Sequence, residues 1–205
     1  MSKIFGYGED AFTLWALKHN VSKILEMFDD KTLTSECMVF YRPSFGRHSR
    51  ENSSVFGEFD AIIASKNHIY LIESKWDNIN GFKNSGFLLR KEQTQRHAIF
   101  SWYLLNWNTQ FLNNWQLFIN ANQSNFKFTG KTLAPNDSLL AKNLEFILNK
   151  LHENCSNFSE KSITNVLLFF FNANKSTPPR ITSNAFTVVP IDYSQNITGN
   201  FVNVF

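Results

Sequence analysis

Residues 9–28 carry Leu14, Leu17, Val21, Ile24, Leu25 and Phe28 at intervals of three and four, the spacing of one helical face, until Asp29 and Asp30 interrupt it. Residues 37–41 (CMVFY) form a short β-prone run, and a polar loop with Pro43 and Gly46 follows over residues 42–54. Residues 56–64 (FGEFDAIIA) and 68–73 (HIYLIE) are rich in β-branched and aromatic side chains. Ser65, Lys66 and Asn67 join them in a turn-like step, so the two runs read as a hairpin. Beyond a Gly- and Asn-rich stretch at residues 78–86, helical periodicity returns over 89–107, 110–121 and 138–151. In the last of these, Leu140, Leu144, Ile147, Leu148 and Leu151 share one face. The unbroken apolar run at 165–171 has the character of a strand buried on both sides, and residues 186–191 add another strand after the Pro178-Pro179 break.

A chain of 205 residues with this order of elements fits a single domain, and residues 1–205 are read as one, with a helical insertion at about 108–152. Only 18% of the residues are charged while 43% are hydrophobic, which excludes global disorder. The formal charge of +3 permits a polyanionic partner without requiring one. Cys37 and Cys155 match no zinc-ligand spacing and suggest no disulfide framework. The opening residues lack the apolar core of a secretory signal, and no window reaches the length of a membrane span, so a soluble, cytoplasmic protein with no membrane partner is expected. Neither GxGxxG nor GxxxxGK[ST] occurs, which disfavours the two nucleotide folds built on those loops.

The candidate chemistry lies on the predicted hairpin. Side chains two apart in a strand face the same way, so Glu58 pairs with Asp60 on one strand and Glu73 with Lys75 on the other. A tight turn brings Asp60 and Glu73 towards each other across the ladder. Two carboxylates at that distance make a hard-oxygen site of the kind that holds Mg²⁺ or Mn²⁺. A cation there would activate a water and neutralise charge on a phosphate. Lys75 would stabilise the pentavalent phosphate or, with a depressed pKa, take a proton from the water, and the residues alone do not choose between these roles.

The run Gly57-Glu58-Phe59-Asp60-Ala61-Ile62-Ile63, a short turn, and then Ile69-Tyr70-Leu71-Ile72-Glu73-Ser74-Lys75 resembles the PD-(D/E)XK nuclease superfamily. That superfamily includes type II restriction endonucleases, archaeal Holliday-junction resolvases and the nuclease-related (NERD) domain, and the local wording is most similar to the last. The resemblance implies an α/β fold, a restriction-endonuclease-like central mixed sheet flanked by helices, with core order αβββαβ. It matches Asp60 to the first metal-binding acid, Glu73 to the second and Lys75 to the lysine, and it suggests an added acid from the first helix, Glu9 or else Asp10. Phe59 stands where the family has Pro. The helix after the hairpin often lends a polar residue to the site or to the DNA backbone, which singles out Gln93 and then Arg96 in Lys91-Glu92-Gln93-Thr94-Gln95-Arg96-His97.

The resulting expectation is an Mg²⁺- or Mn²⁺-dependent endodeoxyribonuclease of restriction or repair type. Asp60, Glu73, Lys75 and Glu9 are its catalytic set, and Asp60, Glu73 and Glu58 its metal ligands. Arg42, Arg47 and Arg50 of the basic loop, with Gln93 and Arg96, are the candidate contacts to double-stranded DNA. Cutting both strands needs two centres, which points to a homodimer. Competing readings are a catalytically idle nucleic-acid-binding or assembly subunit and an RNA-directed nuclease. Bland readings stand beside several residues: Glu9 as a helix-dipole acid, His68 and His97 as structural, and the aromatics from Phe100 to Phe118 as core.

Overall fold

A computed structural model of the chain describes residues 3–45, 57–77, 91–155, 159, 162–175 and 185–205. It is a mixed α/β structure whose main sheet has five strands, β2 (Met38–Tyr41), β3 (Ala61–Ala64), β4 (Ile69–Trp76), β5 (Ile163–Phe171) and β6 (Thr187–Asp192), in the spatial order β2-β3-β4-β5-β6. The first three pair antiparallel, whereas β4 with β5 and β5 with β6 pair parallel. β1 (Phe5–Gly6) joins β7 (Ile197–Thr198) and β8 (Phe201–Asn203) in a small antiparallel sheet of order β1-β8-β7. Neither β1, β7 nor β8 is long enough to leave a readable pattern in the sequence.

Helices cover both faces of the main sheet, and strand alternation decides which residues meet which helices. Ile63, Tyr70, Ile72, Val166, Leu168 and Phe170 point to the face occupied by α1 (Glu9–His19) and α2 (Val21–Glu26), where Phe12, Trp15, Ala16 and Ile24 meet them. Ile62, Ile69 and Leu71 point the opposite way, into a second core built by α3 (Lys91–Asn106), α4 (Trp115–Asn122) and α5 (Leu139–Asn154). Phe100, Tyr103, Trp107, Phe111, Trp115 and Phe118 are all buried there, so the aromatic band is core. Side chains between α3 and β5 belong to the same core as α3, so this helical segment covers one face of the sheet.

Three expectations change in detail. The helix read across residues 9–28 divides at Asn20, whose φ of −129° and ψ of 14° leave the helical region and serve both as C-cap of α1 and N-cap of α2. The strand read over 56–64 is ordered as β3 only from Ala61. Before it, Gly57 holds a φ of +90°, the chain bends at Asp60, and Glu58 makes only an isolated antiparallel bridge with Ser44. The helix read over 110–121 starts late, at Trp115, after a 3-10 turn over Thr109–Phe111, because Asn114 caps it by accepting the Leu117 N–H. Among the described residues no helix is long and apolar enough to cross a membrane.

The turn after α2 is fastened to the central strand by one buried carboxylate. Asp30 accepts the Tyr70 hydroxyl at 2.8 Å and the Thr32 N–H at 3.0 Å. Burial alone would raise its pKa, but hydrogen bonds from Ser65, Thr32 and Tyr70 outweigh it and hold the carboxyl down to about 2. A depressed carboxylate contributes stability above its unfolded pKa and loses it as pH falls through the folded value. Asp30→Ala is therefore expected to lose about 2 kcal/mol at neutral pH. In urea titrations the gap from the parent protein should close as pH falls from about 4 towards 2.

Candidate functional site

Glu73 lies in the middle strand of the sheet, 2% exposed and on the face covered by α3. An ionised carboxylate at that depth is costly unless it is paired, and α3 supplies the partners. Arg96 Nη2 stands 3.0 Å from Glu73 Oε1, His97 Nε2 stands 3.2 Å from the same oxygen, and Gln93 Nε2 donates to Oε2 at 2.7 Å. Positions 93, 96 and 97 are i, i+3 and i+4, one face of one helix. Burial pushes the Glu73 pKa up, yet the His97 hydrogen bond, the Arg96 charge and Gln93 together hold it below the ordinary value.

His97 is fixed from its other side. Asn165 donates its amide to the Ala185 carbonyl at 3.2 Å, which turns its Oδ1 to His97 Nδ1 at 2.8 Å. Both imidazole nitrogens thus face side-chain oxygens, Asn165 Oδ1 on one side and Glu73 Oε1 on the other.

Continuing the β3–β4 register by one step sets Asp60 opposite Glu73, as the two-residue periodicity and the tight turn require. Asp60 Oδ2 accepts the Ser74 N–H at 2.6 Å. Burial, and then the neighbouring Glu73 charge, push the Asp60 pKa up to about 7, with the Ser74 N–H and Lys75 only partly offsetting them. Two adjacent carboxylates therefore have pKa values driven apart, one held ionised and one poised near neutrality.

Lys75 extends from β4 to place Nζ 3.0 Å from Glu9 Oε1 and 2.6 Å from the Ser74 carbonyl. Glu9 opens α1 behind Gly8, whose φ of +88° an L side chain rarely adopts. The Thr13 hydroxyl lies 2.8 Å from both the Glu9 carbonyl and the Ser74 hydroxyl, so the first turn of α1 is pinned to β4. Burial raises the Glu9 pKa, with Lys75 opposing and the charges of Asp10 and Glu73 adding to it. Glu9, Asp60, Glu73 and Lys75 are thus drawn together at one end of the sheet.

Glu58 is turned elsewhere. Arg42 Nη2 meets its carboxylate at 3.0 Å and Arg42 also pairs with Asp10, while the charges that act most on Asp60 are those of Glu73, Lys75 and Glu9. Arg42, expected on the phosphate side, is occupied by these two acids. Arg96 and Gln93 are committed to Glu73, and Arg96 also donates to the Glu58 carbonyl. A Cβ on Gly57 would stand 2.9 Å from Arg96 Nη1, so that glycine leaves room for the guanidinium. Arg47, His48 and Arg50 lie outside the described residues.

No family model, curated protein or solved structure matches this chain.

Among the described residues no three His, Cys, Asp or Glu side chains form a ready-made metal cage. The donor set fits a cation that needs only two protein carboxylates. A carboxylate offers about four lone-pair directions, and Asp60 has a single hydrogen bond from Ser74 while Glu73 has three donors around it. Mg²⁺ takes one or two carboxylates, keeps several waters and suits this oxygen pair, whose mutual repulsion it would relieve.

The role of Arg96 and His97 as the fixing groups of Glu73 was not read from the sequence. Their spacing from Gln93 on one helix face was the available signal. Because the raised Asp60 pKa destabilises the fold once the group ionises, its cost is absent at low pH and complete above about 7. Asp60→Asn, which keeps the acceptor for Ser74, should melt higher than the parent at about pH 8.5 and converge with it near pH 4 to 5, measured by thermal denaturation across that range.

Proposed function

We propose that this chain is a metal-dependent nuclease of the PD-(D/E)XK kind that hydrolyses phosphodiester bonds in DNA, double-stranded DNA being the favoured substrate. The observation that carries the reading is the placement of Asp60 opposite Glu73 with Lys75 two residues further along the same strand. The order α1, β2, β3, β4, α3, β5, antiparallel through β4 and parallel from β4 to β5, supports a restriction-endonuclease-like fold.

Asp60 and Glu73 would hold Mg²⁺ or Mn²⁺, which when bound supplies Lewis-acid polarisation of a phosphate oxygen and a more acidic water. Lys75 carries its positive charge beside these acids and would neutralise charge building on the phosphate. Glu9 positions Lys75 through the 3.0 Å contact. Glu73 stays ionised through Arg96, His97 and Gln93, and Asp60, poised near 7, would give up its proton to bind the cation. Arg47 and Arg50 retain their proposed part in holding the DNA backbone, and a homodimer would present two centres.

One observation favours a second reading. Arg96, His97 and Gln93 already surround the Glu73 carboxylate, and a guanidinium kept at 3.0 Å competes with a cation for it. A subunit that never exchanges Arg96 for metal would bind nucleic acid without cutting it.

Supercoiled, linear and single-stranded DNA, with an RNA control, incubated in Mg²⁺, Mn²⁺ or EDTA separate the two. The nuclease reading expects metal-dependent cleavage that falls about a hundredfold or more in Asp60→Ala and in Lys75→Ala. Binding in a gel-shift assay with no cleavage by the parent protein would leave the idle subunit as the account, and preferential loss of the RNA would redirect the substrate.

A further inference from the structure

The end of α1 remote from Glu9 borders a cavity of about 540 Å³ between the two first helices and the small sheet β1-β8-β7. Its volume lies within the range of small-molecule sites. Lys3, His19 and Lys23 line it, and no Asp or Glu is among the lining residues. Lys3 and Lys23 form no ion pair among the described residues. His19 is steadied through Nε2 by the Val204 carbonyl at 3.2 Å, and Lys18 stacks over the Phe205 ring at 3.3 Å. Asp192 on β6 lies within reach of the Lys23 charge but is exposed and outside the lining.

Asn20 is the second, independent observation. It is 4% exposed and forms part of the cavity wall. Its backbone serves both helices, the N–H donating to the Ala16 carbonyl at 2.7 Å and its carbonyl accepting from Ile24 at 3.0 Å. Its side-chain amide caps neither helix and has no partner among the described residues. A buried amide without a partner calls for one from outside the protein. The remaining wall supplies further amides, from Gln195, Asn196 and Asn203, and the half-exposed rings of Phe5 and Phe205.

We propose that this cavity is a nucleotide-binding site: Lys3 and Lys23 take the phosphate, Asn20 meets the edge of the base, and Phe5 and Phe205 supply the apolar surface against which it packs. Lysines with no Asp or Glu side chain among the lining residues select an anion, the buried Asn20 amide and the exposed amides around it select a hydrogen-bonding heterocycle, and aromatic rings select a planar one. Ten residues of helix separate His19 from Glu9, about 15 Å at the rise of an α-helix, so a phosphate held here stands away from the acidic centre. The site therefore binds without cutting. Its ligand is a nucleoside 5′-phosphate, either free or at the end of a strand, and the assignment does not rest on the nuclease reading.

Isothermal titration calorimetry of the full chain in EDTA, with adenosine 5′-monophosphate, adenosine, inorganic phosphate and a 5′-phosphorylated oligonucleotide, tests it. The nucleotide should bind more tightly than adenosine or phosphate alone, and Lys3→Glu with Lys23→Glu should weaken it about tenfold or more. Asn20→Ala should weaken binding in protein whose melting shows it folded, while the two exposed lysine changes guard against a folding defect. Binding of the oligonucleotide alone, with the same lysine dependence, would assign the site to strand ends. The proposal is overturned if neither nucleotide form binds, if the lysine reversals leave affinity unchanged, or if inorganic phosphate binds as tightly as the nucleotide. A cleavage assay that fails while this titration succeeds would count against the nuclease reading alone.

Discussion

A charged carboxylate in the centre of a sheet dictates much of this structure. Glu73 sits on β4 with strands on both sides and a helix above it, where water cannot solvate it. Its three partners come from consecutive turns of α3, so the helix must cross the sheet at that height and in that rotation. The requirement spreads outward. Gly57 keeps clear of Arg96, Phe59 packs its ring 4.8 Å from the His97 ring and 5.5 Å below the Arg96 guanidinium carbon, and Asn165 reaches from β5 to lock the imidazole. Phe59 is thus part of the support for the acid.

The same strand serves the opposite face through its alternate residues. Ser74 meets Thr13 of α1 and lends its N–H to Asp60, while Trp76 donates its indole N–H to Tyr193 at 3.0 Å. β4 is therefore the element against which the acids are measured: Asp60 through its backbone, Glu73 within it, and Glu9 through Lys75. Repulsion between Asp60 and Glu73 is tolerated because α3 stabilises the charge on one while burial favours the proton on the other.

How much of this the sequence carried follows from the range of the interactions. The hairpin, the Asp60 and Glu73 juxtaposition and the buried strand at 165–171 rest on two-residue alternation and a short turn, which are local and so readable. The break at Asn20 and the late start of β3 depend on the backbone angles of single residues, which the helical and strand patterns on either side conceal. Glu58 was placed with Asp60 by alternation, but the bend at Asp60 and the positive φ of Gly57 end the strand before alternation applies. Arg42 looked like a free cation of a basic loop, yet its partners Asp10 and Glu58 stand 32 and 16 positions away along the chain. Pairings of that span leave no periodic trace. β1, β7 and β8 are two or three residues long, too short for any period to register.

The sheet divides the interior into two apolar compartments, and the five tryptophans are divided with it. Trp15 and Trp76 belong to the compartment under α1 and α2, whereas Trp102, Trp107 and Trp115 crowd the one under α3, α4 and α5. In the second compartment Trp107 and Trp115 stand with ring centroids 5.6 Å apart, close enough for their transitions to couple, while the indole of Trp76 is tied to a tyrosine hydroxyl. The chain therefore carries intrinsic optical labels on each side of its sheet. Near-ultraviolet dichroism from the coupled pair reports the packing beneath the α3 layer, and it does so separately from the emission of the indoles that flank the first helix.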